Sequence, residues 1–119
     1  MKTYTVIVRD EVFADMDLLA DYIISLSTAE HAEAYTRMLV QEIRTLEYLA
    51  AMIPFSPWEL TKKYHPYAKA MVLRNRKWCV IFHIDGAFAV IDKLLPARLL
   101  IKRIVPASSS RARRLKAGK

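Results

Sequence analysis

Two groups of side chains in this chain are of types that hold or move charge. The first is cationic: Arg74, Arg76 and Lys77 precede one run of β-branched and aromatic residues, and Lys93 and Arg98 lie at the end of a second. Guanidinium and ammonium groups placed together in this way bind phosphates or carboxylates. The second group falls between Ile53 and Ala68, where Trp58, Lys62, Lys63, Tyr64, His65 and Tyr67 interleave cations with aromatic rings. Rings among cations stack bases and hold phosphates. The plainer alternative is that Phe55, Trp58 and Tyr67 close the end of a core while the lysines stay in water.

Other chemistries find little footing. His31, His65 and His83 with Cys79 have no metal-ligand spacing, so no metal is expected. Asp15, Asp17 and Asp21 read as a solvated helix face, since a cation site draws ligands from elsewhere as well. Cys79, inside an apolar run, reads as a packing residue. The chain has two glycines, Gly86 and Gly118, and the first is needed for a turn. A Gly-rich phosphate loop and a dinucleotide fingerprint are thereby excluded, no Gly-x-Ser-x-Gly elbow is present, and no cofactor is expected.

The elements that must position these residues follow from patterning. Tyr4 to Arg9 reads as a first strand. From Asp10 the apolar residues Val12, Phe13, Met16, Leu19, Ala20, Ile23 and Ile24 recur at helical spacing, with Asp10, Glu11, Asp15 and Asp17 towards the positive end of the helix dipole. Ser27-Thr28-Ala29-Glu30 matches a capping box with Ser27 as N-cap. A second helix with the stripe Tyr35, Met38, Leu39, Ile43, Leu46, Leu49 and Ala50 then runs towards Pro54. Three prolines deny regular structure to Ile53–Ala68. Met71 to Leu95 holds two strand-like runs joined by Asp85-Gly86, the signal of a type I′ hairpin. In the first run Trp78, Val80, Phe82 and Ile84 face one way, towards the helices; Lys77, Cys79, Ile81 and His83 face the other, on a mixed surface partly open to water or a partner. The fold class expected is α+β, an N-terminal strand and an antiparallel helix hairpin packed on a small, mainly antiparallel sheet.

At 119 residues the chain fits one domain, assigned to residues 1–105, with 106–119 as a basic flexible arm. One cysteine suits a reducing cytoplasm, and neither a signal peptide nor a membrane span is legible. The net charge of +7 is unevenly spread. Met1–Glu59 carries four Lys/Arg against ten Asp/Glu, Leu60–Ile101 eight against two, and Lys102–Lys119 seven against none. A cationic second half points to an anionic partner, either nucleic acid or an acidic protein segment.

This order of elements, with the segment from Leu73-Arg74-Asn75-Arg76-Lys77-Trp78 through Cys79-Val80-Ile81-Phe82-His83-Ile84-Asp85, resembles the RelE/ParE toxins of bacterial type II toxin-antitoxin and plasmid-stabilisation systems. The likeness runs from Tyr4 to Arg98. It implies a growth inhibitor neutralised by a cognate antitoxin, with operator DNA reached through the antitoxin complex. It also implies one of two targets: DNA gyrase for ParE-like members, or messenger RNA on the ribosome for RelE-like endoribonucleases. In the nuclease case Lys62, Lys63, Arg74 and Arg98 match the family's catalytic cations, but the tyrosine or histidine that follows the last strand has no counterpart here. The gyrase-directed reading is therefore preferred. In it Arg74, Arg76, Lys77, Lys93 and Arg98 bind the target or an acidic, apolar antitoxin segment. A non-catalytic member that only binds antitoxin or operator DNA is the remaining alternative.

Overall fold

The computed structural model describes residues 2–100. The arm assigned to 106–119 and the end of the domain assigned to 1–105 lie outside the described residues. Element order is β1 (Thr5–Val8), α1 (Asp10–Leu26), α2 (Ala29–Arg44), α3 (Leu46–Leu49), a 3₁₀ turn (Ala50–Met52), α4 (Glu59–Lys62), β2 (Lys69–Val72), β3 (Trp78–Asp85) and β4 (Phe88–Pro96). The four strands form one sheet in the order β1-β4-β3-β2, antiparallel except where β1 runs parallel to β4. The expected α+β architecture is the one observed.

The period-two pattern of β3 sets its two faces. Val80 and Phe82, flanked by Trp78 and Ile84, meet Val12, Met16, Leu39, Ile43 and Leu46 of the helices, in the main core. Cys79 and Ile81 face the other way, into a second, smaller cluster with Ala68 and Leu100. This second face is not the partly open surface expected for it. Trp58, Leu60 and Tyr64, from the segment around α4, pack over it. Apolar residues on both faces of a strand need cover on both, and the proline-containing segment supplies the second layer.

Three local expectations change in the structure. The second helix starts at Ala29 with Thr28, not Ser27, as N-cap, its hydroxyl accepting from the His31 N–H at 3.0 Å. Ser27 Oγ instead lies 3.0 Å from His31 Nδ1. The helical path to Met52 is broken at Thr45 rather than continuous. Asp85 pairs with Phe88, so the hairpin loop is Gly86-Ala87. Within this loop only Gly86 has positive φ, +61°, and glycine at the first loop position with a negative-φ second residue belongs to type II′ rather than I′.

Candidate functional site: a cationic turn and a His–Asp–Arg cluster

Arg74, Arg76 and Lys77 lie on the turn between β2 and β3, and α2 fixes that turn. The Arg74 N–H donates to Glu42 Oε2 at 2.8 Å. The Tyr35 hydroxyl receives Asn75 Nδ2 at 2.8 Å and Trp78 Nε1 at 3.0 Å. Asn75 Oδ1 in turn accepts from the Lys77 N–H at 3.0 Å, and Arg76 adopts the left-handed φ of +61° that so tight a turn requires. Arg76, Lys77 and Arg98 then line one concavity with Tyr22, Trp78 and Pro96. The Lys77 carbonyl accepts from the Ala97 N–H at 2.9 Å, which holds Arg98 near the turn.

The other candidates are distributed differently. Arg74 points into a separate polar depression with Met38, Gln41, Glu42 and Thr45. Lys93 is engaged within the chain: its ammonium is 3.0 Å from Asp15 Oδ2 and 3.9 Å from Glu11, and the hydrogen bond to Asp15 raises its pKa above the ordinary lysine value. Lys62 lies 3.6 Å from Glu59 on α4, and Lys63 follows it, exposed. The four cations matched to a nuclease site thus do not line one pocket.

Sequence reasoning missed a cluster assembled from four segments. Asp92, only 3% exposed, receives Arg9 Nε on one oxygen at 2.7 Å and lies 2.6 Å from His83 Nδ1 through the other. A carboxylate only accepts, so His83 carries its proton on Nδ1. The His65 ring stacks on His83 with centroids 3.8 Å apart and planes 4° from parallel. His65 Nδ1 accepts from the Tyr67 N–H at 3.0 Å. Asp92 reaches His83 because the register shifts: Ile81 pairs with Lys93 but Phe82 with Ile91, leaving Asp92 as the extra residue of a bulge. A charged residue in the middle of an apolar strand was the only signal in the chain for this cluster.

Trp58 packs inward, as the plainer sequence reading had it, but Phe55 and Tyr67 do not: they are 64% and 66% exposed. Cys79 is fully buried, and burial raises its thiol pKa from 9.0 to about 11. It is expected to resist alkylation at pH 8 until the protein unfolds. The folded state retains the thiol proton where the unfolded chain loses it. The associated stability is therefore intact below about pH 9 and falls as pH rises towards 11. Rapid labelling of native protein would contradict this assignment.

Among the described residues no group of three or more His, Cys, Asp or Glu is placed to hold a metal ion, and no helix is long and apolar enough to cross a membrane. No protein-family model matches the chain, and no curated protein does. Among solved structures the fold is that of a chain from a toxin-antitoxin system. One match, described as the chromosomal ParDE system from P. aeruginosa, has a TM-score of 0.68 at 18% identity, covering 79% of this chain and 96% of that chain. At that identity the likeness is one of fold.

Proposed function

We propose that the chain is the toxin of a type II toxin-antitoxin system, neutralised by a cognate antitoxin and acting in the ParE manner on DNA gyrase. The observation that carries this reading is an apolar stripe beside the cationic turn. Leu18, Tyr22 and Leu26 recur every four residues on α1 and are 69%, 62% and 69% exposed. Such a stripe on a helix needs a partner. Tyr22 is shared between the concavity that holds Arg76, Lys77 and Arg98 and a neighbouring apolar one formed with Leu19, Ile23, Leu26, Tyr35 and Trp78. An amphipathic antitoxin segment with carboxylates at one border matches both the apolar row and the cations. The toxin-antitoxin fold likeness supports the same assignment.

For the target, the state of the imidazoles favours gyrase over RNA cleavage. Attack by a 2′-hydroxyl needs a base with a free, reachable lone pair. His65 Nδ1 is occupied by the Tyr67 N–H, and His83 is 6% exposed. The purified chain is expected to block ATP-dependent supercoiling by gyrase, and full supercoiling at molar excess would sink the gyrase assignment. Messenger RNA cleavage on programmed ribosomes, lost in the Lys62→Ala, Lys63→Ala, Arg74→Ala and Arg98→Ala variants, would replace it with the RelE-like reading. Induced expression without growth arrest would remove the toxin reading itself.

A further inference from the structure

We propose that the exposed rings of Phe55 and Tyr67, with His65 next to Tyr67 and with Lys62 and Lys63 preceding His65 in the chain, form a platform that binds an unpaired nucleic-acid strand and holds it without cutting it. The site is separate from the apolar stripe of α1 and does not rest on the toxin reading.

The Phe55 and Tyr67 rings are exposed, His65 is half-buried, and the backbone that carries them is tied down. Phe55 makes a backbone bridge with Lys69, and the adjoining Ser56 N–H donates to the Ala68 carbonyl at 2.8 Å. The Lys69 ammonium stands 5.2 Å from the Phe55 ring centroid and is itself anchored on the Ala50 carbonyl at 3.1 Å. The Tyr67 ring centroid is 6.0 Å from that of Phe55, tilted by 53°, and 6.1 Å from that of His65. His65 in turn rests on His83, which Asp92 holds. Rings whose backbone is already anchored lose less freedom on binding a ligand than rings on a loose loop, which favours binding. The exposed Phe55 and Tyr67 rings each offer a π-face to a base.

The charge around the rings selects the occupant. No carboxylate occurs in the chain between Glu59 and Asp85, whereas Lys62 and Lys63 are exposed just before His65. The ion pair of Lys62 with Glu59 is exposed at both ends, so it competes weakly with a phosphate. An acidic peptide would satisfy the lysines but would leave the rings without planar partners. An unpaired strand satisfies both.

The proton positions decide what happens to the strand. Because His65 Nδ1 accepts from the Tyr67 N–H, its remaining nitrogen, Nε2, carries the ring proton and can only donate. It offers no lone pair to deprotonate a 2′-hydroxyl. The strand is bound and stays intact.

The test is fluorescence anisotropy of the full chain with labelled 12-nucleotide uridine and thymidine strands, in a salt series. Both strands are expected to bind within a few-fold of each other, since rings and phosphates are common to both, and a duplex of equal length at least tenfold more weakly. Phe55→Ala/Tyr67→Ala should weaken strand binding at least tenfold, whereas Tyr67→Phe, which retains the ring, should stay within about twofold. Lys62→Ala/Lys63→Ala should reduce the slope of log affinity against log salt by about 1.4, at roughly 0.7 for each of two lost phosphate contacts on a single strand. Thermal melting checks that each variant is folded. Equal binding by the ring-deleted double variant, equal binding of duplex, cleavage of the RNA strand during the titration, or burial of the rings in a dimer seen by sedimentation would each overturn the proposal.

Discussion

Asp92→Ala is expected to lower the free energy of unfolding by about 1–3 kcal/mol, the usual cost of leaving a buried donor without its acceptor. The carboxylate is 3% exposed and satisfies both Arg9 and His83. Its removal leaves the His83 Nδ1–H buried without an acceptor and releases Arg9 from the start of α1. His65, stacked on His83, loses its support too, so the segment over the second face of the sheet should loosen. Asn at position 92 keeps one acceptor oxygen and should lose less than alanine. Urea unfolding of the three proteins provides the measurement; a loss below about 1 kcal/mol in the alanine variant would mean that the cluster is incidental to stability.

Phe82→Ala is the second large effect, at about 3–5 kcal/mol for an aromatic ring deleted from a core. Phe82 is fully buried on β3, paired with Lys69 on one side and Ile91 on the other, and belongs to the core beneath the α1–α2 hairpin. The loss combines the ring's transfer free energy with the cavity left behind. Phe82→Leu should recover much of it. Equilibrium unfolding in which the alanine variant matched the wild type would place the hairpin's support elsewhere.

How far these features were legible depended on whether their signal was local. The alternation Trp78, Val80, Phe82, Ile84 named the helix-facing side of the sheet directly, because a strand's period fixes side-chain direction. The spacing along α1 did the same for Val12 and Met16. The cap was misplaced by one residue because Ser27 and Thr28 are chemically alike, and only the backbone decides which hydroxyl meets the His31 N–H. The His–Asp–Arg cluster was illegible for another reason. Arg9, His65, His83 and Asp92 come from four segments, and the bulge that turns Asp92 towards His83 leaves no trace in a periodic reading. The cationic turn was visible as composition. That Arg76, Lys77 and Arg98 share a concavity while Arg74 and Lys93 do not is a matter of tertiary placement.

The same bulge marks where β4 outruns its neighbour. The β1 ladder ends with Val8 opposite Ile91, and from Asp92 onwards β4 continues past the end of that strand. A bare strand edge invites another chain to add to it, the first step of edge-to-edge aggregation. Here the first residue past the bulge is Lys93, whose ammonium is tied to Asp15 and Glu11 of α1. The ion pair ties α1 to β4 just beyond the end of β1, where the strand would otherwise lack a neighbour on that side.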